Sequence, residues 1–179
     1  GGTTDIGVLA LGDLVVSDSV RVAGNYFDNQ IMKYVRMKYS MAIGSRTAEN
    51  IKKSLATVRR DIIDDKEVRY SGRNIVTGLP MKNSIRQSEV RDLMVRAFES
   101  IAIQSKKVLE RTPPELAADI YEDGVILSGG GALIDGIKEY FEEQLNLKCR
   151  VAENALTAIV DGTRYLLKNR GNYLVKPVD

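Results

Sequence analysis

The sequence predicts an α/β fold, in which short strands alternate with amphipathic helices. The clearest observation is the stretch Val125 to Ile137, where an apolar β-branched run meets three glycines and then apolar residues at helical spacing. A glycine-rich turn at residues 1–5 leads into a pattern typical of a hairpin. Another strand is predicted over Leu147 to Val151, followed by a final helix. Alternation of this kind is typical of an α/β domain.

The first predicted element is a turn followed by a hairpin. The turn, Gly1 to Thr4, precedes one apolar run from Ile6 to Leu11 and a second that ends at Val22, with Gly12 and Asp13 between them. Backbone amides and the two threonine hydroxyls of such a turn can cradle phosphate oxygens. The tetrapeptide alone is a weak signal for phosphate.

Two amphipathic helices and a small sheet are predicted next. The helices cover Asn25 to Tyr39 and Thr47 to Leu55, the second with Thr47 or Ser45 as its N-cap. Residues 66–86 predict short strands that include Ile75 and Val76. Turns are predicted at Ser71 to Asn74 and Gly78 to Pro80. The basic residues of this sheet indicate a solvated face or an acidic partner; they are Arg69, Arg73, Lys82 and Arg86.

The longest helix is predicted from Ser88 and serves as core scaffold. Its apolar stripe consists of Val90, Leu93, Met94, Ala97, Ile101 and Val108. Thr112 to Glu115 combines a capping box with proline at the first helical position, which predicts a short helix to about Ala118. The last helix is predicted to open at Asn154 or Thr157, and the tail from Gly171 to Asp179 is expected to fray.

The three glycines of the central stretch indicate either a ligand site or a tight turn. Without Cβ atoms, Gly129, Gly130 and Gly131 let a ligand approach the backbone while the first helical amides stay free to bind it. The alternative is that they only form the turn. The helical residues expected to follow are Leu133, Ile134, Ile137, Tyr140, Phe141 and Leu145.

Composition excludes several classes of mechanism. The 179 residues include one cysteine, Cys149, and no histidine, so Ser-His-Asp and Cys-His catalysis and His-bearing zinc sites are excluded. The 26 basic residues are scattered and the net charge is +2, which gives no support for nucleic-acid binding. No apolar run approaches the roughly 20 residues that span a bilayer, and no signal peptide is visible, so a cytoplasmic location is expected.

Three motifs resemble one superfamily. Gly1 to Asp5 is similar to the second phosphate loop of the actin and heat-shock-chaperone ATPases, and Leu127 to Ile137 resembles their adenosine motif. The run Thr112 to Asp119 resembles the MreB family of bacterial actins more specifically. The resemblance implies an actin-like ATPase domain of the ribonuclease H-like type with a small α+β subdomain inserted. The core subdomain would comprise residues 1–23 and 89–179, and the insert residues 24–88.

The resemblance also implies a nucleotide site for ATP or ADP with Mg²⁺, and no metal ligand from this chain. Thr3 would be catalytic by orienting the attacking water. The residues implied to bind nucleotide are Gly1, Gly2, Thr3 and Thr4 at the phosphates, and Glu49, Lys52, Gly129, Gly130, Gly131 and Ala132 at the nucleoside. For Glu49, the alternative is a solvated i,i+4 ion pair with Lys53, worth a few tenths of a kcal/mol.

By the same resemblance, a first domain with the other phosphate loop and the catalytic glutamate is expected upstream. The parent would then be an ATPase that supports cell shape, and this chain alone is expected to be inactive. Head-to-tail self-association into filaments is implied, with Pro114 to Asp119 and Tyr121 to Asp123 meeting Ser40 to Thr47 of the next copy. Membrane contact at the inner face would come through upstream segments.

Two alternatives remain open at the level of sequence. A sugar-type small-molecule kinase of the same superfold needs a carboxylate base, for which Asp5 is the candidate. A structural or interaction module would bind no nucleotide.

Overall fold

The computed structural model describes residues 1–168 and confirms the α/β class. The strands are β1 (Thr4–Ala10), β2 (Asp13–Val20), β3 (Met41–Ala42), β4 (Glu67–Asn74), β5 (Pro80–Arg86), β6 (Val125–Leu127) and β7 (Cys149–Val151). The helices are α1 (Gly24–Tyr39), α2 (Ser45–Leu55), α3 (Gln87–Glu110), α4 (Pro114–Asp123), α5 (Ile137–Leu145) and α6 (Ala158–Lys168), with a 3₁₀ helix at Gly130–Leu133. The predicted tail, residues 171–179, lies outside the described residues. Among residues 1–168, no helix is long and apolar enough to cross a membrane.

The predicted hairpin is present as the antiparallel pair β1 and β2. Its turn residues Leu11 and Gly12 both have positive φ, 53° and 88°, as a two-residue hairpin turn of the mirror-image type requires. A register shift lies between Val8 and Leu9. Val8 is buried, whereas Leu9 is exposed.

The three helices α1, α2 and α3 supply most of the buried core. The sequence predicts Phe27, Ile31, Tyr34 and Val35 on one face of α1, and three of these are buried, with Tyr34 half-buried. The α3 stripe is confirmed as well, with Leu93 half-buried and its other members buried. The predicted cap of α2 was wrong. Gly44 is the N-cap, with no side-chain cap bond, and its carbonyl accepts the amide of Thr47 at 3.1 Å.

The small sheet has the order β3-β4-β5, with antiparallel pairing throughout. The turn predicted at residues 71–74 was wrong, because β4 continues to Asn74. Gly72 lies inside the strand because β3 approaches so closely that a Cβ there would be 2.4 Å from the Ala42 carbonyl oxygen. The chain turns instead at residues 75–79, where the Asn74 side chain accepts the amides of Val76 and Thr77. Ile75 and Val76 are therefore exposed turn residues and belong to no strand.

The junction between α3 and α4 differs from the capping box expected there. Thr112 is buried, and its hydroxyl donates to the Val108 carbonyl at 2.9 Å, within the last turn of α3. Pro113 is the N-cap and Pro114 the first residue of α4, one residue later than the capping box implied, and the helix extends past Ala118 to Asp123. It ends at Gly124, whose φ of 79° suits a residue without a Cβ.

The last third of the described chain is built on the parallel pair β6 and β7. The apolar sequence of Val125 to Leu127 predicts a buried strand, and this expectation was wrong, since Ile126 at the centre of β6 is 53% exposed. The helix expected directly after the glycines is interrupted as well. A 3₁₀ helix ends at Leu133, and α5 begins only after Gly136, which has a φ of 79°. Thr157 precedes the last helix as predicted, with its hydroxyl 2.8 Å from Asp161 Oδ2.

Candidate functional site

The Gly1 to Thr4 turn is attached to the N-terminal end of α1. The Asn25 amide donates to the Gly1 carbonyl at 3.1 Å, and the Thr4 hydroxyl donates to the Val22 carbonyl at 2.7 Å. Thr3 is exposed, and within residues 1–168 its hydroxyl makes only a long contact of 3.5 Å with Asp5 Oδ2. Thr4 is therefore committed to holding the turn, whereas the Thr3 hydroxyl can turn toward a ligand.

Lys52 projects from α2 to the same turn. Its Nζ lies 2.8 Å from Asp28 Oδ1 and donates to the Gly24 carbonyl at 3.2 Å. Both side chains of the pair are about 85% buried, with 16% and 14% exposure. A Cβ added to Gly24 would lie 3.6 Å from Lys52 Nζ and 3.8 Å from the Gly1 carbonyl oxygen. The structure thus brings Gly1 and Lys52 together around Gly24.

Glu49 occupies the same helix as Lys52 but points to a different partner. Its Oε1 is 2.8 Å from Lys53 Nζ, and both side chains are substantially exposed. The hydrogen bond from Lys53 is the largest of the effects that lower the pKa of Glu49. The ion pair considered in the sequence analysis is therefore present, and contact between Glu49 and a nucleoside stays a prediction.

The central glycine turn has an open backbone on one side and a packed one on the other. Gly129 has a φ of 83°, and its amide donates to the Ala155 carbonyl at 2.7 Å. Among the described residues, no atom lies within 4 Å of where a Cβ on Gly129 would project, and the same holds for Gly2. On the packed side, a Cβ on Gly131 would lie 3.9 Å from Phe98, and Ala132 is buried. The turn can accept a ligand from its open side without moving the core.

Phe98 of α3 connects the two glycine turns. Its ring centroid is 5.1 Å from that of Phe27, in the first turn of α1, and its Cζ faces Gly131. A second link joins α2 to the central turn, because the amide of Val58 and the hydroxyl of Thr57 both donate to the Asp135 carbonyl. The predicted phosphate and nucleoside residues are thus held on one shared core.

Four residues of this site escaped the sequence analysis: Asn25, Asp28, Thr57 and Asp135. Asp28 carried a usable signal, because it borders the buried stripe of α1 and a carboxylate there needs a partner. The others act through backbone groups or across long separations, and the sequence holds no local sign of them. Asp5, the kinase candidate, accepts a hydrogen bond from Ser19 at 2.7 Å and is thereby bound within the hairpin.

The family profile described as MreB/Mbl protein matches residues 1–174. The chain belongs to the MreB/Mbl family. Its relatives include the cell shape-determining protein Mbl of Bacillus subtilis (strain 168), 43% identical over 169 residues, which are 94% of this chain and 50% of that protein. The cell shape-determining protein MreB of Escherichia coli (strain K12) is 37% identical over 163 residues, or 90% of this chain and 46% of that protein.

Solved structures agree with this membership. MreB5 of Spiroplasma citri bound to AMPPNP superposes with a TM-score of 0.90 at 40% identity, covering 96% of this chain and 51% of that one. The MamK double helical filament shares the fold, with a TM-score of 0.75 at 19% identity, over 97% of this chain and 52% of the other. The chain spans about half the length of the relatives it matches. The comparisons do not favour the sugar-kinase alternative.

Proposed function

We propose that this chain is the nucleotide-binding half of a bacterial actin-like cytoskeletal ATPase whose filaments support cell shape. The observation that carries the proposal is the superposition on an MreB5 structure bound to AMPPNP, together with the convergence of Gly1 and Lys52 at Gly24. A second MreB5 structure of the same organism, bound to ADP, also matches at a TM-score of 0.90. The relatives named above are cell shape-determining proteins.

The open positions of the glycine turns fit a nucleotide. Backbone amides of Gly1, Gly2 and Thr3 would bind the β- and γ-phosphates, and Glu49 and Lys52 of α2 would contact the nucleoside. Gly129 to Ala132 would accept the nucleoside on their open side. Mg²⁺, when bound, would neutralise developing charge on the phosphates. Thr3 would orient the attacking water, since its hydroxyl is exposed and weakly engaged.

Hydrolysis would belong to the full-length protein and not to this chain alone. Phosphoryl transfer depends on positioning and charge stabilisation, and this chain would contribute one side of that arrangement.

We further propose that residues 24–88 form a small subdomain inserted between residues 1–23 and 89–179. The location would be cytoplasmic, at the inner face of the membrane. Copies would associate head to tail, through Pro114 to Asp119 and Tyr121 to Asp123 of one and Ser40 to Thr47 of the next.

The test is Thr3→Ala in the full-length protein. ATP hydrolysis should fall by about 10²–10³ while binding of a fluorescent ATP analogue changes far less, because loss of one oriented group acts mainly on the transition state. Thr3→Ser is the matched control, since it keeps the hydroxyl and should retain most of the rate. Unchanged hydrolysis in Thr3→Ala would sink the catalytic assignment. A wild-type protein that binds no nucleotide, or that phosphorylates sugars, would overturn the function itself.

A further inference from the structure

The tip of the β1–β2 hairpin exposes an unusual set of apolar side chains. Leu9, Leu11, Leu14 and Val15, here called the apolar tip, are 70%, 107%, 60% and 43% exposed. They occupy the side of the hairpin opposite the buried Val8, together with its turn. Contiguous exposed apolar side chains of this kind mark interaction surfaces more often than scattered single ones do.

A second apolar surface lies at the turn between β4 and β5. Ile75, Val76 and Leu79, here called the apolar turn, are 42%, 82% and 65% exposed. The turn is well fixed, because the Asn74 side chain accepts two of its amides and the Asn74 amide donates to the Leu79 carbonyl at 2.9 Å. It therefore presents its apolar side chains without a large cost in ordering.

The two surfaces lie at opposite ends of the molecule along α3. Near the first turn of α3, Glu89 accepts a hydrogen bond from Tyr39, the last residue of α1. Ser40 follows, and its carbonyl accepts the amide of the first residue of the apolar turn at 2.9 Å. After the last turn of α3, Arg111 donates to Asp18 of β2 at 2.7 Å. Glu89 and Arg111 are 22 residues apart along this helical segment, so the contacts are separated by about 33 Å.

The hairpin continues beyond the C-terminal end of α3. Its base leads within a few residues into α1, whose first turn packs Phe27 against Phe98 near the middle of α3. Asp18 is paired with Ile6, so the residues from Gly7 to Leu11 extend further in the same direction. The apolar tip therefore lies at the end of the molecule near the C-terminus of α3, and the apolar turn lies at the end near the N-terminus of α3.

The charges around the two surfaces are opposite in sign. The hairpin, residues 4–20, contains three aspartates and no lysine or arginine. Residues 66–86, which surround the apolar turn, contain five basic residues and one glutamate. Complementary charge around apolar centres favours encounter and correct register between the two surfaces. An anionic membrane would be repelled by the acidic hairpin, which argues for a protein partner.

We propose that the apolar tip of one copy docks against the apolar turn of the next copy, so that this pair of surfaces forms part of the longitudinal contact. The two surfaces differ and lie at opposite ends, so the contact is heterologous and repeats without closing. The proposal rests on the self-association in the proposed function. It adds apolar surfaces that would supply affinity to the contact. The charged stretches of the proposed head-to-tail contact, Pro114 to Asp119, Tyr121 to Asp123 and Ser40 to Thr47, would supply its register.

Cross-linking between copies tests the contact directly. Leu11→Cys and Val76→Cys are made separately in the full-length protein, with its other accessible cysteines replaced; Cys149 is buried and can stay. Mixed under polymerising conditions with a short bismaleimide, the two variants should form a cross-linked dimer that neither gives alone. A dimer from Leu11→Cys alone would mean an isologous contact and overturn the proposal. Absence of the mixed dimer in protein that pellets normally would also overturn it.

Critical concentration gives a second readout. Leu11→Asp should raise the critical concentration for pelleting by about tenfold or more, equivalent to about 1.4 kcal/mol, because it places a charge in the apolar contact. Ile63→Asp is the matched control, as Ile63 is 96% exposed and lies outside both surfaces. Normal pelleting of Leu11→Asp, or loss only of binding to phosphatidylserine vesicles, would overturn the proposal. Wild-type protein that never polymerises would overturn the proposed function as well.

Discussion

Thr57 and Asp135, which are 78 residues apart in the sequence, are joined directly in the structure. The Thr57 hydroxyl lies 3.0 Å from Asp135 Oδ2, and the two residues also form a parallel β-bridge. Thr57 is 1% exposed, and its hydroxyl also lies 3.2 Å from the Asp135 carbonyl oxygen and accepts the Arg59 amide at 3.1 Å. Arg59 donates to the other oxygen of the same carboxylate, with its Nε 2.8 Å from Asp135 Oδ1. This contact sets the position of α2, which carries Lys52, relative to the central glycine turn.

Asp135→Ala should lower the free energy of unfolding by about 0.5–1.5 kcal/mol, because the buried Thr57 hydroxyl loses the carboxylate and keeps only the Asp135 backbone carbonyl as an acceptor. Urea denaturation of the full-length protein measures the change. Asp92→Ala is the control, since Asp92 is 65% exposed and pairs with Arg91 on the surface. Equal effects of the two substitutions would contradict a structural role for the buried contact.

A second prediction separates ligand glycines from structural ones. A Cβ on Gly130 would lie 3.6 Å from Leu156, an ordinary contact, and Gly130 is not in the positive-φ region. Gly130→Val should therefore fold and still lose affinity for nucleotide, because it fills the space assigned to the nucleoside. Isothermal titration with ADP and a melting curve measure the two effects separately.

Gly124→Ala is the contrasting variant for that experiment. Gly124 has a φ of 79°, and a Cβ there would lie 2.5 Å from the Lys148 carbonyl oxygen. This substitution should destabilise the fold by disturbing the start of β6. A collapsed Gly130→Val protein would show that the central glycines serve packing, and the ligand assignment would lose its support.

Local periodicity was sufficient to predict most helices and the hairpin. Burial of Phe27, Ile31 and Val35 on α1 could be predicted from the 3.6-residue repeat alone, because the apolar residues that form the buried face all lie within that segment. The same reasoning failed at Gly72, which looks like a turn residue until β3 is placed against it. Contacts that arise only after folding cannot be read from a single segment.

The candidate site shows the same division. Its glycine turns could be predicted from the sequence because glycine has no side chain, which leaves the backbone open at that position. The break between Leu133 and α5 could not be predicted. It includes Gly136, where an added Cβ would lie 3.1 Å from the backbone nitrogen of Arg59, a residue distant in the sequence. The pairing of Lys52 with Asp28 likewise depends on how α1 crosses α2. Residue types and the local pair of Glu49 with Lys53 were predictable, whereas partners distant in the sequence were not.

A third prediction concerns acid sensitivity at Glu89. Burial alone would raise the pKa of its carboxyl, but hydrogen bonds from Lys38, Tyr39, the Arg86 amide and Tyr34 outweigh burial and lower that pKa to about 2. A carboxyl with a lowered pKa stabilises the fold above its unfolded pKa of about 4.3. That stabilisation is lost as pH falls from about 4.5 toward 2.

Glu89→Gln tests this pH dependence because it keeps the shape and removes the charge. At pH 7 the variant should be less stable than wild type by about 2–3 kcal/mol, allowing for the 14% exposure of the side chain. The difference between the two proteins should shrink as pH falls below about 4.5, as chemical denaturation at several pH values would show. A difference that stays constant down to pH 2 would contradict the charge-based account.

The last prediction concerns α4, whose residues are all exposed or half-buried. Glu115 and Asp119 lie one turn apart on this helix, which follows the C-terminal end of α3 and so occupies the same end of the molecule as the apolar tip. If α4 meets the basic side of Ser40 to Thr47 in the next copy, reversing both charges with Glu115→Lys and Asp119→Lys replaces attraction by repulsion. Pelleting of the full-length protein should then be abolished, while nucleotide affinity stays unchanged because the site lies elsewhere.

The control for this charge reversal is Glu139→Lys with Glu143→Lys. These two acidic residues are also exposed and one turn apart, on α5, so the variant changes net charge by the same amount. It should still pellet, although it gives up the ion pair between Glu143 and Arg60, because exposed pairs contribute only about 0–1 kcal/mol. Loss of pelleting in both double variants would point to net charge as the cause. Normal pelleting of the α4 variant would place the longitudinal contact elsewhere, because a reversed charge pair inside that contact would have to weaken it.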